Sequence, residues 1–262
     1  MSNPIGWCDE TINPITGCTK ISPACLHCYA ERMAQRLKGR YGYPADEPFR
    51  PGTFHSTELL KPFGWRKPRF VFVVSMGDLF HEAVKDEHLD WIFDIVGRKA
   101  PQHTYLLLTK RPDNMKQRLS RLYGENGPYP NVWLGVTAED QQRADERIPI
   151  LLSIPAAKHF VSVEPMLGPV DLLERGYLAD HEWKKGTPGG LGWVIAGGET
   201  GPGARPMQDE WAMNLRDQCQ EAGVAFWFKK HGGWWCKKMG YNPGSYADHT
   251  LGDRQWEQRP SN

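Results

Sequence analysis

Short apolar runs recur down this chain: Phe70-Val71-Phe72-Val73-Val74, Tyr105 to Leu108, Val132 to Val136, Phe160 to Val163, Trp193 to Ala196 and Val224 to Phe228. A nearly continuous run too brief for a helix is the pattern of a strand covered on both faces. Successive starts lie about thirty residues apart, the length of one strand–helix unit. Few folds accept that rhythm.

Helical patterns fill the gaps. Ala30, Met33, Ala34 and Leu37 fall on one face, with Gly39 placed to end the helix. Leu89, Ile92, Phe93 and Val96 make a second stripe, and Met115, Leu119 and Leu122 a third, opened by Pro112. Thr137 with Asp140 resembles a capping box, and Ala212, Leu215, Cys219 and Ala222 stripe a last helix that Gly223 can close. Residues 40–68, rich in Pro and Gly, read as an irregular crossing with one short strand from Phe54 to Leu59.

Alternation at this period implies a parallel sheet. With a first strand just before Cys18, the count reaches seven or eight, so the expected class is α/β, a single (β/α) barrel, full or partial TIM-like, with mostly parallel strands. At 262 residues one such domain accounts for most of the chain, here 1–240, with a polar C-terminal extension over 241–262. No run approaches the apolar length of a membrane helix, and Met1 to Gly6 lacks a basic segment followed by an apolar one. A cytoplasmic chain with reduced thiols is expected. The net charge of +1 does not decide for or against nucleic acid.

Three of the six cysteines, Cys18, Cys25 and Cys28, fall within eleven residues of a loop that runs into a helix. In a reducing compartment that density favours metal ligation over disulfides. Three thiolates suit an iron–sulfur cluster with one open iron, or a zinc ion completed by Cys8 or His27. Unligated structural thiols are the bland alternative. Cys219 reads as core, Cys236 has no partner at metal spacing, and His27 and His81 read as supporting residues.

In a (β/α) barrel the working residues lie where strands end. Polar groups stand at those points: Ser75 and Asp78, Thr109-Lys110-Arg111, Thr137, Glu164, Gly197-Gly198-Glu199 and Lys229-Lys230-His231, all expected to face one cavity. Asp78 and Lys229 are the candidate catalytic groups. Plain structural readings stand beside these: a helix start for Lys110-Arg111, a turn carboxylate for Glu164, tight turns for Asn13 and the glycines.

Asn13-Pro14 through Cys18, Cys25 and Cys28-Tyr29-Ala30, then Ser75 to His81, Leu108 to Pro112, Glu164-Pro165 and Gly197 to Arg205, together resemble the phage-type three-cysteine-motif family, which is similar to radical S-adenosylmethionine (SAM) enzymes. The resemblance implies a 4Fe-4S cluster on Cys18, Cys25 and Cys28. It also implies SAM bound at the open iron and cleaved, with an external one-electron reductant, to a 5'-deoxyadenosyl radical. Tyr29 resembles the aromatic that packs near the adenine. The spacing from Cys18 to Cys25 is longer than in the usual radical-SAM loop, and Gly197-Gly198-Glu199 resembles that superfamily's methionine-binding triplet but sits on a late strand.

By chemistry, a methionine carboxylate wants Lys110 or Arg111, and ribose hydroxyls want Glu164 or Glu199. Asn13, Ser75 and Thr109, with Gly197 and Gly198, complete the expected cofactor set. Phe226 to Lys238 interleaves aromatics with lysines, which suits a nucleotide or nucleic-acid base as substrate. Two other readings belong to different classes: a zinc-stabilised nucleic-acid-binding module, and a cluster-bearing scaffold without SAM cleavage that serves a protein partner encoded nearby.

Overall fold

The computed structural model of the chain describes residues 5–124, 127–178 and 189–260. Residues 1–4, on which part of the reading of the N-terminus falls, lie outside the described residues. Seven strands form one all-parallel sheet in the order β1-β4-β5-β6-β7-β8-β9, and the fold class is α/β, a partial (β/α) barrel. The chain divides into two compact units, Met1–Ile21, Cys28–Gly135 and Ile154–Ala157 in one, Ser22–His27, Val136–Ser153 and Lys158–Asn262 in the other.

The first unit opens with β1 (Glu10–Ile12) and β2 (Ile15–Thr16), followed by α1 (Tyr29–Arg36) and β3 (Thr53–Phe54). It continues through β4 (Phe70–Val73), α2 (Asp86–Phe93), β5 (Thr104–Thr109), α3 (Pro112–Tyr123) and the start of β6 (Val132–Thr137). Ile12 pairs with Val73, and Val73 with Leu107, so these strands end nearly level. Pro112 begins α3, where its missing N–H costs no helical bond.

The expected strand from Phe54 to Leu59 is only Thr53–Phe54, paired antiparallel with β2; Ser56–Gly64 then winds as a 3-10 helix. Pro62, with no N–H for a ladder, sits inside that helix, and Leu59 is buried while Leu60 is exposed. The stripe through Val96 changes pitch: α2 gives way to a π turn over Asp94–Lys99. There Gly97 lies under Tyr129, a ring carbon 2.4 Å from where a Cβ would stand. Met33, expected inward, is exposed.

The second unit takes the end of β6, then α4 (Gln141–Leu152), β7 (Lys158–Val163), β8 (Leu191–Ala196), α5 (Asp209–Glu221), β9 (Ala225–Phe228), α6 (Gly233–Met239) and the hairpin β10 (Thr250–Leu251) and β11 (Arg254–Gln255). Asp140 alone caps α4, its Oδ1 accepting from the Arg143 amide at 2.8 Å; Thr137 is the last residue of β6. Val163, Ala196 and Phe228 stand in register across β7, β8 and β9, so Glu164, Gly197 and Lys229 leave the sheet side by side. Beyond residue 240, Leu251 and Trp256 are buried, the Trp256 ring covered by Arg216 and Arg254. Among the described residues no helix is long and apolar enough to cross a membrane.

Candidate functional site

Two polar networks anchor the cysteine loop, one in each unit. In the first, Gly17 hands the chain from β2 to Cys18. Its amide donates to the Met76 carbonyl at 3.0 Å, and a Cβ there would stand 1.9 Å from the Arg50 carbonyl oxygen, with φ at +85° besides. Only glycine fits that crossing.

Arg111, at the end of β5, reaches back to this point. Nη1 donates to Cys18 Sγ at 3.3 Å and to Asp78 Oδ2 at 3.2 Å; Nη2 donates to the Thr19 carbonyl at 3.2 Å and hydroxyl at 2.8 Å; Nε donates to Glu82 at 3.3 Å. All five N–H donors of the fork are committed. Burial opposes its charge, but Cys18, Asp78 and Glu82 together raise the guanidinium above its ordinary range.

Asp78 is buried and equally occupied. Oδ1 accepts from Thr109 Oγ1 at 2.7 Å and the Phe80 amide at 3.0 Å, and Oδ2 from the Lys110 amide at 3.2 Å as well as from Arg111. A carboxylate so saturated holds neighbours in place, so Asp78 has the geometry of a positioning residue. His81 Nδ1 accepts from the Ala83 amide at 3.0 Å, which puts the ring proton on Nε2, 2.9 Å from Thr19 Oγ1. Burial, with Arg111 nearby, lowers its pKa, consistent with that neutral form.

Asn13, level with the end of β4, takes the Ser75 amide at 2.8 Å and the Met76 amide at 3.0 Å on Oδ1. The preceding Val74 has φ +68°, a left-handed conformation that a β-branched residue seldom adopts. Strain of that kind persists only where surroundings over-determine it, and here the Asn13 clamp does so. Tyr29, the first residue of α1, donates its hydroxyl to the Ser75 carbonyl.

In the second unit, Glu199 lies beyond β8 with 6% of its surface exposed. Arg205 donates to it from Nε at 2.9 Å and Nη2 at 2.5 Å, and from its amide at 2.9 Å; His27 Nδ1 is 3.0 Å from Oε2. Burial alone raises the carboxyl, but the Arg205 bonds outweigh it and hold Glu199 at about 2. Arg205 Nη2 also donates to the Pro23 carbonyl at 3.0 Å. Glu139, fully buried beyond β6, accepts from Arg147 at 2.9 Å and from the Ala24 amide at 3.3 Å. The segment before Cys25 is thus pinned twice, by Arg205 on Pro23 and by Glu139 on Ala24.

Lys229 Nζ stands 2.7 Å from Glu164 Oε1 across the end of β8, where Gly197 offers no side chain to separate them; a Cβ there would meet Lys229 Cβ at 3.3 Å. Gly198 is a packing requirement, since a Cβ on it would stand 1.8 Å from the His231 carbonyl oxygen. Glu139, Arg147 and Arg205 hold the segment before Cys25, and sequence reasoning does not assign them. The position of Glu139 after an apolar strand was the available signal.

None of the six cysteines is in a disulfide; Cys18, Cys25 and Cys28 are half-buried, whereas Cys8, Cys219 and Cys236 are buried. By donor chemistry the half-buried three fit a soft metal or cluster. Among the described residues, no group of three His, Cys, Asp or Glu side chains stands together closely enough to hold a metal ion. Burial pushes the Cys219 thiol up, and burial with Asp248 pushes Cys236 up to about 11, which leaves both poor ligands.

A family model described as "Protein of unknown function (DUF5131)" matches residues 2–260. No curated protein and no solved structure matches the chain.

Proposed function

The chain belongs to the DUF5131 family, and from its own residues we propose that it is a cytoplasmic enzyme of radical-SAM type, akin to the phage three-cysteine-motif proteins. In this reading Cys18, Cys25 and Cys28 ligate a 4Fe-4S cluster, and SAM is cleaved reductively to act on a nucleotide or nucleic-acid base. The observation that carries the reading is Arg111 on Cys18. A buried guanidinium whose every N–H is placed, and which spends one on a thiol sulfur, is a partner for a thiolate, the form that ligates soft metals.

Each remaining part of the loop has its own anchor. Arg205 and Glu139 fix the chain just before Cys25, and Cys28 precedes α1 with Tyr29 tied to Ser75. When bound, the cluster supplies the one-electron chemistry, drawn from an external reductant. The protein's part is placement: Asp78 positions Arg111, Glu199 positions His27 and Arg205, and the Lys229–Glu164 pair offers a cation and a carboxylate to polar groups of SAM or substrate.

The experiment is anaerobic purification and reconstitution, with iron, sulfide and zinc assayed together. Four iron and four sulfide per chain, lost in Cys25→Ala, are expected. Zinc without sulfide overturns the reading in favour of a zinc-stabilised binding module, and an intact cluster without SAM turnover overturns it in favour of a scaffold.

A further inference from the structure

Three rings lie nearly parallel in the second unit. The buried His231 stacks on Trp235, centroids 4.0 Å apart and planes 11° apart, and Trp235 on Tyr241, 5.4 Å and 13° apart. The stack runs from the core to Tyr241, which is 47% exposed. Its inner members are fixed: His231 Nε2 donates to the Thr250 carbonyl at 2.6 Å, and Trp235 Nε1 to Asp209 Oδ2 at 3.3 Å. Gly240, in the left-handed region, closes α6, and the Tyr241 amide returns to the Cys236 carbonyl at 2.9 Å, which sets the Tyr241 ring beside Trp235.

A second ring stands on the same helix. Trp234 is 36% exposed and carries Lys238 Nζ 4.9 Å from its centroid. Lys237 and Lys238 are exposed in the last turn, while of the neighbouring acids Asp248 is buried and Asp209 is half-buried against His231 and Trp235. Asp209 serves Trp235, and the buried Asp248 takes the Gly232 and Gly244 amides at 3.0 and 2.8 Å. Two exposed lysines thus stand beside two exposed aromatic rings, Trp234 and Tyr241, on one face.

We propose that this face, α6 and the turn through Tyr241, binds single-stranded nucleic acid, with bases stacking on Tyr241 and Trp234 and phosphates meeting Lys237 and Lys238. Every base has a π-face, so such a platform accepts strands of many sequences, while a paired duplex keeps its bases out of reach. The inference sharpens the substrate class of the proposed function and rests on that reading only there; binding needs no cluster. Anisotropy reads binding and not turnover, so absence of SAM cleavage leaves it standing, and absence of binding leaves the cluster reading standing.

The test uses the full chain with fluorescein-labelled oligo(dT) and oligo(U) of about 12 nucleotides and a duplex of the same length. Saturable binding of the single strands is expected, with the duplex about tenfold weaker. Tyr241→Ala, an exposed position that spares the fold, weakens binding about tenfold. Lys237→Ala with Lys238→Ala lowers the salt slope of log K by about 1.4. Failure of the folded protein to bind either strand, or variants that bind as wild type does, overturns the inference. So does capture by phosphatidylglycerol vesicles through these same residues in place of the oligonucleotides.

Discussion

Arg111 Nη1 lies 3.3 Å from Cys18 Sγ and 3.2 Å from Asp78 Oδ2, so one guanidinium links the first thiol of the loop to a buried carboxylate. Removing the cation leaves Asp78 buried without a counter-charge, held only by Thr109 Oγ1 and the Phe80 and Lys110 amides. Arg111→Met is expected to destabilise the protein by about 3 kcal/mol in a denaturant melt. Arg111→Lys restores the charge without the fork and recovers only part of that. Wild-type stability in Arg111→Met contradicts the account.

Acid sensitivity follows from Glu199. Its folded pKa of about 2 lies below the ordinary value of 4.5, so between those values the unfolded chain binds the additional proton. The pair's stabilisation is therefore complete above about pH 4.5 and is lost as pH falls toward 2, on the order of 2 kcal/mol in all. Glu199→Gln should flatten that part of the stability–pH curve. An unchanged acid limb in the variant counts against the pairing with Arg205.

Gly198→Ala places a methyl group 1.8 Å from the His231 carbonyl oxygen, where backbone must move. A loss of about 3 kcal/mol is expected from the resulting overpacking. Gly64, where a Cβ would meet no heavy atom within 4 Å, serves as the control, and Gly64→Ala should change stability by about 0.5 kcal/mol or less. Equal effects at the two sites refute the close approach.

Thiol reactivity should sort by burial. In native, metal-free protein, iodoacetamide is expected to label Cys18, Cys25 and Cys28 within minutes, while Cys8, Cys219 and Cys236 react only on unfolding. Peptide mass spectrometry gives the order directly. Early labelling of Cys219 is incompatible with its place inside α5.

The strands from β4 to β9 were legible to within two residues or so because burial on both faces writes a continuous apolar run. β1, Glu10-Thr11-Ile12, has no such run and was reached only by counting strands. Short β3 and the π turn after α2 depend on what packs against them, Ile15 with Thr16 and Tyr129, and sequence spacing does not carry that. The candidate site divides the same way. Strand-end position marked Asp78, Arg111, Glu164, Glu199 and Lys229, yet not who pairs with whom: Glu164 finds Lys229 across Gly197, and Glu199 finds His27 from 172 residues away. Glu139 stands two residues past β6, a position of the same kind, and its partners, Arg147 and the Ala24 amide, are likewise tertiary.

Whether the thiol loop serves SAM cleavage is read by reducing the reconstituted protein with dithionite in the presence of SAM and quantifying 5'-deoxyadenosine and methionine. Stoichiometric or greater release is expected from wild type and none from Cys18→Ala, Cys25→Ala or Cys28→Ala. Wild-type protein with a full complement of iron and sulfide that releases no 5'-deoxyadenosine contradicts such a role.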